Sequence, residues 1–80
     1  MAITRTALQS AASLGFDRHA IVETVLKAER KMFFKSMATI ADHRAWQDVY
    51  HVPVGDLVVY LKFQSDVIAE FRVVSFKEKT

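Results

Sequence analysis

RAWQDVYHVPVGDLVVYLKF, residues 44–63, decides the fold. Its first nine residues are rich in β-formers and alternate. Trp46, Asp48 and Tyr50 fall on one side, with Gln47, Val49 and His51 on the other. Pro53-Val54-Gly55-Asp56 then reads as a turn, because proline and glycine punctuate regular structure. LVVYLKF (57–63) resumes the period of two and sets Tyr60 and Lys62 on one face. Further on, Gln64-Ser65-Asp66 predicts another turn. IAEFRVVSFKEK (68–79) predicts a third strand, with Phe71, Val73, Ser75 and Lys77 sharing a face.

Upstream the period is helical. Ala7, Leu8, Ala11, Ala12 and Leu14 make one apolar side, Thr6 and Gln9 have capping-box spacing with an earlier helix start left open, and Gly15 suits a helix end. Asp17 is a good N-cap for a second helix with Ile21, Val22, Val25, Leu26 and Ala28 on its apolar face. The two helices predict a short αα-hairpin. KMFFKSMATIADH (31–43) fits either a helical stripe or a packed loop. Helices followed by a strand meander predict an α+β fold, with the N-terminal helices packed on a twisted antiparallel sheet, as one domain over residues 1–80.

Composition limits the function classes. Eighty residues bury a modest core. With no cysteine there is neither a disulfide nor a thiolate metal site. Hydrophobic residues make up 51%, against two glycines and one proline, which marks a folded chain. LVVYL (57–61) is far too short to span a bilayer and the start has no signal-like apolar stretch, so a soluble, cytoplasmic protein is expected. The net charge is only +2 and neither half is a basic tract. If RNA is the ligand, the lysines must be focused locally.

No phosphate-binding glycine loop or zinc-ligand spacing is present. His19, His43 and His51 are scattered and read as structural or solvated, and no serine has a nucleophile's neighbours. What stands out is a set of polar residues inside apolar words. Lys35 lies in MFFKSM, Gln47 in WQDVY, Tyr60 and Lys62 in VVYLKF, and Lys77 in SFKEK. Each alone has an ordinary reading as a snorkelling lysine or a packed strand aromatic.

Longer words in register carry more weight. FFKSM (33–37), ADHRAWQDVY (41–50), VYLK (59–62) and VSFKEK (74–79) together resemble the MqsR family of bacterial toxins, and TRTALQSAASLG (4–15) is similar to that family's first helix. The resemblance implies a RelE-like fold and an mRNA interferase, a sequence-preferring endoribonuclease that inhibits translation. It implies Lys35, Gln47, Tyr60 and Lys77 as the catalytic positions, with no metal and no cofactor. It also implies a cognate antitoxin as partner and mRNA as substrate, with no membrane and no DNA bound by the toxin alone. The chain departs from the family pattern in three places. Family members carry a further N-terminal segment with a strand, QSDVIAE (64–70) makes a longer turn, and His51 stands where a relative has arginine.

RNA brings its own nucleophile, the ribose 2′-hydroxyl. Catalysis then needs in-line alignment, removal of the hydroxyl proton, stabilisation of the phosphorane and protonation of the departing 5′-oxygen. In this scheme Lys35 and Lys77 stabilise charge, Tyr60 handles a proton and Gln47 orients, with His43 an alternative acid or base. Trp46 and Tyr50 fit core packing better than base stacking. The competing expectation is a catalytically inactive RelE-like domain that binds protein or RNA.

Overall fold

The order of elements is β1 (Ala2–Ile3), α1 (Arg5–Ser13), α2 (Arg18–Lys27), a 3₁₀ turn (Arg30–Met32), β2 (Phe33–Ala38), β3 (Ala45–Val54), β4 (Leu57–Asp66) and β5 (Arg72–Glu78). This comes from a computed structural model that describes residues 2–38, 45–66 and 72–80. The strands form one sheet in the order β1-β5-β4-β3-β2. The pairs among β2, β3, β4 and β5 are antiparallel, whereas β1 runs parallel to β5, so the sheet is mixed. The α+β class and the helices on the sheet match the sequence reading. No helix among the described residues is long and apolar enough to cross a membrane.

The hairpin at the centre is tighter than a four-residue turn. β3 and β4 pair as far as Val54↔Leu57, leaving Gly55 and Asp56 as the loop. Gly55 has φ +60°, the left-handed value that a two-residue hairpin needs at its first central position. Pro53 belongs to β3. It lies beyond the end of β2, whose pairing stops at Tyr50, so its missing N–H interrupts no bond to that neighbour.

Three local readings are corrected. Residues 33–38 form an edge strand rather than a helical stripe or a loop; nearly all of them are exposed, so burial leaves no alternation in the sequence. Gln64 and Ser65 are not a turn but pair with Gln47 and Trp46 as the continuation of β4. The first helix is capped by Thr4, not Thr6: the Ala7 N–H donates to the Thr4 hydroxyl oxygen at 3.2 Å. His43, residues 67–70 of the QSDVIAE word and Phe71 of the predicted third strand lie outside the described residues.

The core lies between the helices and one face of the sheet. Ala7, Ala11 and Ile21 come from the helices, and Val52, Val59, Leu61, Phe63, Val73 and Phe76 from β3, β4 and β5. Two alanines on the α1 contact face let that helix sit close to β5. Gly15, at φ +86°, ends α1. Asp17 then caps α2 by accepting from the Ala20 N–H at 2.8 Å, as the sequence predicts. Between them Phe16 is set against Phe76 with ring centroids 5.2 Å apart. On α2 the inward face is Ile21, Thr24, Val25 and Ala28. Buried Thr24 donates its hydroxyl to the Ala20 carbonyl at 2.8 Å, while Leu26, expected inside, is 78% exposed.

β5 carries the decisive irregularity. Lys62 pairs with Ser75, but the next residue, Phe63, pairs with Val73, so Val74 is an extra residue, a β-bulge. A regular strand would put Val73, Ser75 and Lys77 on one face, which is the sequence expectation. The bulge resets the alternation. Val73 and Phe76 are both fully buried against the helices, and Ser75 and Lys77 take the other face. The N-terminal segment fastens this point: the Thr4 N–H donates to the Val73 carbonyl at 3.0 Å and its hydroxyl to the Val74 carbonyl at 3.4 Å.

Phe76 is the largest fully buried side chain among the described residues. Phe76→Ala is expected to cost about 3–5 kcal/mol, against a total stability of about 4–12 kcal/mol for a domain of this length. Urea unfolding should show a sharply lowered midpoint. Leu26→Ser, on exposed surface, should stay within about 0.5 kcal/mol of the parent. A wild-type midpoint for Phe76→Ala would contradict this description of the core.

Candidate active site

The face of the sheet away from the helices carries three rows of side chains, each running across four strands. The first is Phe34–His51–Tyr60–Lys77, fixed by the registers His51↔Tyr60 and Tyr60↔Lys77 and by the stacking of Phe34 on His51, with centroids 4.3 Å apart and planes at 24°. The second is Lys35–Val49–Lys62–Ser75. The third is Met37–Gln47–Gln64–Arg72.

A second irregularity completes the first row. In β2, Phe33 pairs with Tyr50 and Lys35 with Val49, which leaves Phe34 as the extra residue. Phe33 turns to the helix side, where its ring meets Tyr50 edge-on at 5.5 Å, and Tyr50 in turn meets Phe63 at 5.7 Å. Tyr50 is therefore a packing residue. Phe34 and Lys35 both reach the open face. There the Lys35 ammonium stands 5.6 Å from the Phe34 ring centroid.

The four residues singled out in the sequence, Lys35, Gln47, Tyr60 and Lys77, lie on this one face. They are not equally close. The Lys77 ammonium is 5.1 Å from the Tyr60 ring centroid, and the Lys62 ammonium is 5.7 Å from it. Lys35 lies one row away and two strands across from Tyr60. Gln47 lies two rows away from Lys77 and two strands across, about 16 Å between Cα atoms by ordinary strand spacing and rise. A small group held at Lys77 is thus beyond the reach of Gln47. Gln47 donates from Nε2 to the Gln64 Oε1 at 3.0 Å, which fixes its amide.

Charge is concentrated here although the chain's net charge is small. Lys35, Lys62, Lys77 and Arg72 occupy the rows, and Lys79 follows at the end of β5. The ion pairs among the described residues are His19–Glu23 and Lys31–Glu29, both elsewhere, so no described carboxylate pairs with these lysines. Val49 is fully buried on this face, flanked in register by Lys35 and Lys62. Their aliphatic stems are placed to cover it while the ammonium heads stay in water. Among the described residues no three His, Asp or Glu side chains gather to hold a metal ion.

A shallow pocket of about 320 Å³ opens at the end of the first row, lined by Phe34, His51, Tyr60, Lys77 and residues 78–80. The His51 ring is 6.0 Å from that of Tyr60. Burial, and secondarily the nearby Lys79 cation, push its pKa below the ordinary 6.5. The sequence reading, which leaves His51 structural or solvated, does not place it or Phe34 in this row; the register does. The available signal was alternation, which groups His51 with Gln47; what it lacked was the register that sets His51 opposite Tyr60.

Comparison with known proteins matches the chain to a family. The family model described as motility quorum-sensing regulator, toxin of MqsA, matches residues 1–78. A relative from Escherichia coli strain K12, described as mRNA interferase toxin MqsR, is 42% identical over 76 residues, covering 95% of this chain and 76% of the relative. No solved structure matches.

The state of His51 can be measured directly. Its NMR titration midpoint should fall below 6.5, and Lys79→Ala should raise it only part of the way, because burial remains. The fold favours the neutral imidazole, so the unfolded chain binds this proton more readily. The His51 contribution to stability is therefore complete above pH 6.5 and is lost as pH falls through the lowered midpoint. A midpoint at or above 6.5 would contradict the burial argument.

Proposed function

The chain belongs to the MqsR toxin family, and we propose that its open sheet face is the active site of an mRNA-cleaving toxin. The observation that carries this reading is the cross-strand contact of Lys77 with Tyr60 on a face whose lysines have no described carboxylate partners. Such a face suits a polyanion. The relative named as an mRNA interferase toxin supports catalysis over a binding-only role.

The substrate is mRNA and the reaction is attack by a ribose 2′-hydroxyl on the adjacent phosphorus. The 2′-oxygen–phosphorus bond forms as the phosphorus–5′-oxygen bond breaks. The products end in a 2′,3′-cyclic phosphate and a 5′-hydroxyl. No metal is needed, because the nucleophile belongs to the substrate and the growing phosphorane charge meets fixed ammonium groups. Lys77 sits beside Tyr60 and serves the scissile phosphate. Lys35, one row away, serves charge on the same strand of RNA. Tyr60 exchanges a proton with a reacting oxygen. Gln47 holds a neighbouring nucleotide through an amide already oriented by Gln64. The partner is a cognate antitoxin protein that restrains the activity, and the place of action is the cytoplasm, where mRNA is translated. The toxin alone engages neither membrane nor DNA.

Purified protein should cut a defined RNA equally well with and without EDTA, and a 2′-deoxy substitution at the scissile nucleotide should abolish cutting. Chelator-sensitive cleavage would sink the metal-free scheme. Lys77→Ala should lower kcat about 10²–10³-fold, the usual cost of removing one preorganised oxyanion donor; unchanged cutting would remove Lys77 from the site. In cells, induced expression should arrest growth, and Lys35→Ala or Tyr60→Phe should relieve the arrest. Harmless expression of a folded wild-type chain that leaves RNA intact would identify a binding module instead.

A further inference from the structure

Resting on the ribonuclease reading, we infer that His51 is the base that removes the 2′-hydroxyl proton, with Tyr60 across the ladder as the acid for the departing 5′-oxygen. His51 is directly opposite Tyr60, and Tyr60 is directly opposite Lys77, so the three side chains follow one another across β3, β4 and β5. Phe34 stacks on one face of the imidazole and fixes its plane. Among the described residues, none hydrogen-bonds a ring nitrogen of His51. The ring lines the pocket that also contains Tyr60 and Lys77.

Chemistry then separates the roles. Lysine and tyrosine side chains ordinarily hold their protons at neutral pH, so they enter the reaction as donors. Imidazole is the side chain whose ordinary titration lies near neutrality, and its neutral form is the base. The groups around His51 favour that form. Lys35 approaches from β2 beside Phe34, Tyr60 and Lys62 from β4, and Lys77, Glu78 and Lys79 from β5 and its end. Glu78 is the one carboxylate side chain among them, and Thr80, the last residue of the chain, lines the pocket with its backbone carboxylate; the other charged side chains are positive.

The proton balance closes on these two residues. Neutral His51 takes the proton as the 2′-oxygen bonds to phosphorus, and becomes imidazolium beside the phosphorane. Tyr60 gives its hydroxyl proton to the 5′-oxygen as that bond breaks, leaving tyrosinate. The imidazolium then returns its proton to the tyrosinate, directly or through one water, since the two rings are 6.0 Å apart. Both residues are restored and no other reagent is consumed.

The test is the pH dependence of kcat/KM on an RNA with one defined cleavage site, for wild type, His51→Ala and His51→Gln, with the NMR titration of His51 measured in parallel. Wild type should show an acid limb whose midpoint matches the His51 titration. His51→Ala should lose that limb and fall about 10²–10⁴-fold, and added free imidazole should restore part of the rate. His51→Gln, which keeps polarity but cannot take the proton, should stay as slow; recovery by Gln would mean a positioning role and overturn the inference. An acid limb that persists in His51→Ala, or one in wild type that does not coincide with the His51 titration, would also overturn it. The wild-type comparison holds even if a variant fails to fold. If wild type cuts through the 2′-hydroxyl while the His51 results are negative, only this inference falls; if wild type leaves RNA intact, the ribonuclease reading falls with it.

Discussion

The β-bulge at Val74 is the constraint on which the rest of the structure depends. An extra residue in β5 is what lets Val73 and Phe76, three positions apart, both point into the core. The same step turns Lys77 to the opposite face beside Tyr60. A regular strand could bury Val73 or expose Lys77, but not both. A bulge disturbs local pairing, and buried backbone carbonyls without partners are costly. Here Thr4 supplies them, with its N–H to Val73 and its hydroxyl to Val74. The Thr4 hydroxyl oxygen also accepts from the Ala7 N–H as the helix cap. One residue therefore starts α1, ties it to the sheet and holds the irregularity that orients the site.

The bulge at Phe34 has the same effect at the other edge. It separates Phe33, which packs on Tyr50, from Phe34 and Lys35, which join the open face. Between the two bulges, β3 and β4 pair in unbroken register, so the middle of each row is set by plain alternation. A site assembled this way takes its geometry from backbone pairing rather than from loops, and it is correspondingly rigid. The two faces divide the work. One face contains the apolar area that stabilises a small domain. The other carries cations that add little stability in water and are free to meet a polyanion.

Much of this was legible in the sequence, for identifiable reasons. Alternation over 44–63 gave the hairpin and correctly grouped Gln47 with His51 and Tyr60 with Lys62. Asp17 and Gly15 marked helix ends because each has a local backbone role that needs no tertiary information. The failures share a different cause. Neither bulge has a glycine to mark it, since the Phe34 and Val74 backbones stay at negative φ, so the shift in parity cannot be read from residue types. β2 is an exposed edge strand and lacks the alternating burial that writes a period into a sequence. β1 is two residues long, and its pairing with β5 is a long-range event that no local pattern encodes. Leu26 shows the reverse error: a leucine at helical spacing that tertiary packing leaves outside. The four polar positions stood out, with Lys62, as polar residues inside apolar words, and the family resemblance separated them from Lys62. That they occupy one face follows from the register, and that they are spread along it, with Gln47 far from Lys77, was not visible beforehand.

The spread bears on how such a site works. On the proposed reading the reacting phosphate is held at the Lys77 end of the face, where Tyr60 and His51 also lie. On that reading Gln47 acts on another part of the RNA chain, and Lys35, one row away, adds charge beside the reacting end, so that Gln47 contributes through alignment rather than at the reacting atoms. At the reacting end, the side chain at position 51 decides what kind of help is available. An arginine there, as in a relative, would be a permanent cation and a forked phosphate ligand. A histidine gives up that anchor and gains a group that can change its charge during the reaction. The surrounding lysines already supply fixed positive charge, so a further permanent cation adds little that the face lacks. A titrating ring held between Phe34 and Tyr60 adds a function that no lysine on the face ordinarily provides at neutral pH.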